Sequence, residues 1–148
     1  MIEGSNVGTH LPTAEEINVF DSLDEQDAVK HFLGKDLEQA EALFHENFLC
    51  YQEDLMWMGP KAFAFYVTAA IRYLLSTKSD GDSDAANSFC GLVEFRLDYE
   101  PAAIGPVRPI LHACILGMLK DFDRYGCDGA IYGDLTARYR ALLLRLED

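Results

Sequence analysis

The residues best suited to chemistry lie just before the chain's single tryptophan. Glu53 and Asp54 are neighbouring carboxylates, and Trp57 follows three residues after Asp54. A carboxyl group buried beside an aromatic ring has a raised pKa, which suits it to general acid–base catalysis. The structural alternative is that one carboxylate caps a short helical turn or pairs with Lys61 or Arg72. We predict Glu53, Asp54 and Trp57 as binding residues and assign no catalytic residue.

Glu38, Glu41 and His45 form a second polar group, on one face of a predicted helix. Residues three and four apart are neighbours on a helix surface. Di-iron helical bundles need Glu-x-x-His motifs on two helices together with further glutamates, and this sequence contains no Glu-x-x-His. A solvated acidic face is the structural alternative. We predict no metal and no other cofactor, and we keep these three residues as candidate binding residues.

The segment from Asp80 to Asp84 begins like an EF-hand calcium loop. Aspartates occupy its first, third and fifth positions, but Ala85 and Gly91 occupy the sixth and twelfth. An EF-hand loop requires glycine and a bidentate glutamate at those two positions. The segment is therefore predicted to be a turn followed by a helix cap.

The four cysteines, Cys50, Cys90, Cys114 and Cys127, include no Cys-x-x-Cys pair and are predicted to be reduced and mostly buried. His112 lies two residues before Cys114. On a helix the two side chains point about 200° apart, so they cannot form a nucleophile–base pair. A cysteine–histidine pair assembled from distant segments, for example with Cys50, stays open as an alternative.

Capping patterns predict the first helices. Thr13 and Ser22 are each followed by glutamate three residues later, which is the capping box that begins a helix. Phe20 is expected on the buried side of the first helix. Gly34 is expected to end the second helix in a left-handed conformation, and Asp36 to cap the third.

The helical periodicity is lost between residues 47 and 58. We expect a loop with a short turn of helix there, which would place Glu53, Asp54 and Trp57 on a loop. This segment separates the third helix from the next, which is predicted to begin at Gly59-Pro60.

Two apolar helices, at about 61–76 and 107–125, are predicted to lie in the centre of the fold. Residues 92–100 alternate between apolar and charged, which is the period of a strand, but no second convincing strand exists to pair with them. A helix is therefore favoured there. The sequence predicts an all-α, single-domain bundle of six or seven helices over residues 12–148, preceded by a flexible tail at 1–11.

The charge of the chain is concentrated in its N-terminal part. The whole sequence carries a net charge of −13, and residues 1–59 hold 13 acidic residues against Lys30 and Lys35. A surface of this sign repels phosphate groups and attracts basic proteins, so we exclude nucleic acid as a partner. No secretory signal and no uncharged apolar run of about 18 residues is recognised. We therefore predict no membrane contact and a cytoplasmic location.

Two segments carry a resemblance to a known family. FLGK at residues 32–35, followed by LMWMGPKAFAFYVTAAIRYLL at 55–75, resembles a family of small bacterial all-α proteins of unknown function. The shared feature is a helix start that here reads Pro60, Ala62, Phe63 and Tyr66. The resemblance implies a bacterial origin and no particular activity, so no functional residue follows from it.

The leading functional hypothesis is a non-enzymatic interaction protein. Its acidic N-terminal face would bind a basic protein, as an immunity or inhibitor protein does with a cationic toxin or nuclease. The first alternative is a small-molecule binder or hydrolase-like enzyme near Trp57, with Glu53, Asp54 and His45 as its polar groups. The second is a self-associating structural protein. The oligomeric state is not predicted, and enzymatic activity is left open, with the balance against it.

Overall fold

The computed structural model describes residues 10–147, and these residues form a single all-α domain. Six long helices and three one-turn helices are present over this range. They are α1 (Ala14–Ile17), α2 (Leu23–Phe32), α3 (Leu37–Trp57), α4 (Pro60–Leu75), α5 (Ser83–Tyr99), α6 (Pro101–Ile104), α7 (Arg108–Lys120), α8 (Gly129–Tyr132) and α9 (Leu135–Leu146). The all-α prediction is confirmed, and residues 92–99 belong to helix α5. Most of the predicted tail, residues 1–9, lies outside the described residues.

The caps predicted at Thr13, Ser22 and Asp36 are present. Thr13 and Ser22 each form a reciprocal capping box with the glutamate three residues later, and Asp36 forms one with Gln39. Gly34 follows α2 with φ of 81°, the left-handed conformation that glycine adopts without strain. The burial predicted for Phe20 is wrong, because this side chain lies in the turn between α1 and α2 and is 81% exposed.

The loop predicted over residues 47–58 is also wrong, because α3 continues through Trp57. Asn47 interrupts the helix with φ of −161°, and its Oδ1 accepts a hydrogen bond from the Cys50 backbone N–H, as an N-cap residue does. The helix therefore restarts in a new register after a kink. Gln52 and Asp54 lie among the buried residues of the second half, and these polar residues hid the apolar periodicity.

Helix α4 forms the centre of the core, as predicted. Nine of its sixteen residues are buried, and α1, α3, α6 and α7 all pack against it. Tyr66 on α4 donates a hydrogen bond shared between the carbonyl oxygens of Phe32 and Lys35, both at 2.8 Å. This contact fixes the end of α2 against the central helix.

The second predicted central helix is enclosed on one side only. Helix α7 buries Leu111, Cys114, Ile115 and Met118, whereas Ile110 and Leu116 are more than 40% exposed. It ends at Lys120, and residues 122–125 form a separate 3₁₀ turn.

The stretch Pro101–Lys120 contains an 18-residue window with a mean hydropathy of 1.5 and could cross a membrane by length and composition alone. Here it comprises α6, a 3₁₀ turn and α7. A helix packed in a protein core passes the same test, so this is weak evidence for a membrane span.

Candidate functional site

The predicted residues Asp54 and Trp57 lie near the end of α3, where Asp54 pairs with a histidine of α2. The Asp54 Oδ2 is 2.7 Å from Nδ1 of His31, and Asp54 itself is only 5% exposed. The His31 ring also meets the edge of Tyr51, with ring centroids 5.2 Å apart. Sequence reasoning missed His31, because its partner is 23 residues away and only the packing of α2 on α3 joins them.

A small cavity opens beside this pair. It has a volume of about 100 Å³ and is lined by His31, Asp54, Cys50, Trp57 and three exposed carboxylates, Asp24, Asp27 and Glu53. Pockets that enclose small-molecule substrates typically measure about 300–1,000 Å³. The cavity therefore suits a single side chain or a small cationic group and does not suit a larger substrate.

Burial and charge determine the protonation of the cavity groups. Burial raises the pKa of Asp54 above its ordinary value, and the hydrogen bond from His31 opposes this only in part. Cys50 is exposed, but partial desolvation raises the pKa of its thiol, and the nearby carboxylates of Asp54, Glu53 and Glu46 raise it further. A nucleophilic cysteine needs a lowered pKa, so the surroundings of Cys50 work against a cysteine–histidine catalytic pair.

The His31–Asp54 pair can orient an imidazole and exchange a proton. With Nδ1 held by the carboxylate, Nε2 is the ring atom left to act as proton donor or acceptor, as in other aspartate–histidine pairs. Such a pair can also hydrogen-bond a polar group placed in the cavity. Acyl-transfer chemistry would further require an activated nucleophile, and Cys50 is the thiol that lines this cavity.

The second predicted group lies elsewhere on α3. Glu38, Glu41 and His45 line a separate depression together with Ala42 and Lys78. The enzyme alternative expected His45, Glu53 and Asp54 to share one site. The structure instead places His45 in a different depression from Glu53 and Asp54. Glu53 follows His45 by eight residues and lies beyond the kink at Asn47. Glu38 and His45 are exposed, as in a solvated face.

An aromatic surface on the other side of Trp57 was not predicted as a site. We call it the aromatic groove and define it by Phe20, Met56, Trp57, Phe95 and Tyr99, which line a cavity of about 240 Å³. Ring centroids are 5.1 Å apart for Trp57 and Phe95, and 4.9 Å apart for Phe95 and Tyr99. The four-residue spacing of Phe95 and Tyr99 was the available sequence signal, since such residues are neighbours on a helix.

Arg96 supports the groove from within the protein. It is 3% exposed, donates hydrogen bonds to the carbonyl oxygens of Leu55 and Met58, and lies 2.5 Å from the Glu100 carboxylate. The last carbonyls of a helix carry a partial negative charge, which a guanidinium offsets. Burial lowers the pKa of Arg96, whereas Glu100 raises it. Arg96 thus fixes the end of α3 against α5.

No metal centre is found among residues 10–147, where no three His, Cys, Asp or Glu side chains are arranged to hold a metal ion. The four cysteines are free; Cys90 and Cys114 are buried, whereas Cys50 is exposed.

Comparison with known protein families, curated proteins and solved structures finds no match for this chain. Of what the family resemblance implied, the structure supports a small all-α protein.

Proposed function

We propose that this chain is a non-enzymatic interaction protein that binds a basic protein through the acidic face around Trp57. One observation carries the proposal: exposed Asp24, Asp27 and Glu53 converge from α2 and α3 around a cavity too small for most substrates. A row of exposed carboxylates beside an accessible aromatic ring is suited to Lys and Arg side chains.

The charge distribution supports the same function. Residues 1–59 hold 13 of the 25 acidic residues but only two of the 12 basic ones. Complementary charge speeds the encounter with a basic partner and makes binding sensitive to salt. The proposed setting is the bacterial cytoplasm, in an immunity- or inhibitor-like role, in keeping with the family resemblance.

The test is a capture experiment on the full chain. Immobilised protein is expected to retain strongly basic proteins from a bacterial lysate at low salt and to release them at high salt. Asp24→Asn combined with Asp27→Asn should weaken retention, whereas Asp121→Asn with Asp123→Asn, an equal change of charge elsewhere, should not. A set of captured proteins that is not basic, or that is unchanged by salt, would contradict the proposal.

A small-molecule binder or hydrolase-like enzyme is the second candidate, and the 2.7 Å His31–Asp54 contact favours it. Small cations such as guanidinium or methylammonium would then be expected to shift the NMR signals of His31 at millimolar concentration. In the His31→Ala variant, the same cations should no longer shift the NMR signals of the other residues that line the cavity. The absence of any shift in the unchanged protein would argue against this candidate.

Self-association is the third candidate. Exposed Ile110, Leu116 and Leu144 provide apolar surface on α7 and α9. Light scattering over a range of protein concentrations would detect it, and a constant monomer mass would count against it.

A further inference from the structure

We propose that the aromatic groove binds an amphipathic helical segment of a basic protein. The apolar side chains of that segment would enter the groove, and its Lys or Arg residues would lie against Asp24, Asp27 and Glu53. This inference rests on the proposed function, and it specifies which surface and which kind of segment form the complex.

The groove exposes more aromatic surface than a folded chain usually leaves to water. Phe20 is 81% exposed, Tyr99 77% and Trp57 43%. Trp and Tyr side chains dominate the binding energy of protein interfaces, because they bury a large area with few rotatable bonds. The three rings lie together at one cavity, so they can act on the same partner residue.

Charge complementarity identifies the partner segment as basic. Trp57 lines both the groove and the acidic cavity, so the aromatic surface and the carboxylates of Asp24, Asp27 and Glu53 are continuous. Glu100, with 41% of its side chain exposed, also lines the groove, but its carboxylate already pairs with Arg96. Arg96 also lines the groove, but it is buried, and its guanidinium already donates hydrogen bonds to backbone carbonyls and to Glu100. A partner therefore meets apolar rings with acidic groups beside them.

The groove is held in place by interior contacts. The Glu25 carboxylate accepts a hydrogen bond from the backbone N–H of Phe20, and Arg96 joins the end of α3 to α5. The backbone N–H of Gly59 donates to the Ile17 carbonyl at 3.0 Å, which fixes α1 beside the start of α4. A surface fixed in this way loses little conformational entropy on binding.

The experiment uses Trp57, the only tryptophan, as the reporter. Three tryptophan-free peptides are titrated into the full chain: a Leu/Lys peptide ordered as an amphipathic helix, a scrambled peptide of the same composition, and a Leu/Glu peptide in the amphipathic order. The ordered Leu/Lys peptide is expected to shift Trp57 emission to the blue and to saturate, with weaker binding at high salt. The scrambled peptide should bind at least about tenfold more weakly.

Matched variants locate the contact. Phe20→Ser with Tyr99→Ser removes two highly exposed rings and keeps the reporter Trp57. This double variant should bind the ordered Leu/Lys peptide about tenfold more weakly. Ile131→Ser with Leu144→Ser removes side chains of similar exposure, 72% and 68%, on α8 and α9 and should have no effect. Circular dichroism checks that each variant is folded. Tyr99→Ser alone serves as a second variant, with a smaller expected loss.

The outcomes separate this inference from the proposed function. If both basic peptides bind equally by isothermal titration calorimetry and leave Trp57 emission unchanged, the acidic face binds bases but the groove inference fails. If neither binds at low salt, or if the Leu/Glu peptide binds as well as the Leu/Lys peptide, both fail. A blue shift with uncharged phosphatidylcholine vesicles as large as that with the ordered peptide would mean that the groove faces lipid, which also overturns the inference.

Discussion

Glu25 is a buried carboxylate that organises the turn between α1 and α2. It is 2% exposed and accepts hydrogen bonds from the backbone N–H groups of Val19, Phe20 and Ser22. Burial alone would raise the pKa of Glu25, but the bonds from Ser22, Phe20 and Val19 together lower it below the ordinary 4.5. Because these donors favour the ionised form, the carboxylate stabilises the fold.

Glu25→Gln is expected to lower the free energy of unfolding by about 1–3 kcal/mol at neutral pH, because buried N–H groups lose a charged acceptor. A lowered pKa contributes stability above the unfolded-state value of about 4.5 and loses it as pH falls through the folded-state value. The difference between the unchanged protein and the variant should therefore shrink below pH 4.5. Urea unfolding at several pH values measures it, and a difference that grows towards acid pH would contradict the prediction.

Asp54 should show the opposite pH dependence. Burial raises its pKa above the ordinary 3.8, with His31 opposing in part. A raised pKa contributes stability that is complete below pH 3.8 and is lost as pH rises through the folded-state value. Relative to the unchanged protein, Asp54→Asn should therefore gain stability as pH rises from below 3.8 towards neutral. The same urea series tests this, and a slope of the same sign as that of Glu25→Gln would refute it.

At the scale of elements, Gly59 allows α1 to pack closely against the turn between α3 and α4. A Cβ atom at this position would clash with the backbone oxygen of Glu16 and with the Val19 side chain. Backbone atoms cannot move aside as a flexible side chain can, so α1 would have to shift.

Gly59→Ala is expected to destabilise the protein by about 1–3 kcal/mol through this overpacking. Gly91 is the matched control, because it lies inside α5 and a Cβ atom there would meet nothing within 4 Å beyond its chain neighbours and the backbone of its own helix. Gly91→Ala should instead stabilise by about 0.5–1 kcal/mol, since alanine favours a helix more than glycine does. Thermal unfolding compares the two, and equal effects would show that the contact with Glu16 is unimportant.

The sequence could predict the elements whose starts carry a recognisable capping pattern. The caps at Thr13, Ser22 and Asp36 depend on residues three positions away, so they can be read directly from the chain. The bond from the Cys50 N–H to Asn47 also spans three positions, but it lies inside a helix and not at a helix start, so the continuation of α3 was not predicted. The exposure of Phe20 depends on backbone bonds to Glu25, which no side-chain pattern reveals.

The candidate site contains both local and distant contacts, and only the local ones could be predicted. Glu53, Asp54 and Trp57 are close in sequence, and they do line one cavity. His31 and the groove residue Phe95 reach Asp54 and Trp57 only through helix packing. Periodicity gives the faces of single helices, but it does not give the pairing of those faces.

At the scale of the whole molecule, the concentration of acidic residues has a cost in stability. Residues 1–59 carry most of the net charge of −13, and Asp24, Asp27 and Glu53 are exposed around a single cavity. Like charges held together in the folded state repel one another more than they do in the unfolded chain. Salt screens exposed charges over a length of about 8–10 Å near physiological ionic strength.

Sodium chloride is therefore expected to raise the free energy of unfolding, by about 1 kcal/mol if several exposed like-charge pairs each contribute a few tenths. Urea is the suitable denaturant because it is uncharged, and chloride is preferred to sulfate because sulfate strengthens apolar burial independently. Asp24→Asn with Asp27→Asn should reduce the salt dependence more than Asp121→Asn with Asp123→Asn does. Stability that is unchanged or lowered by salt would mean that the acidic face carries no repulsive strain, and a basic partner would then gain nothing by relieving it.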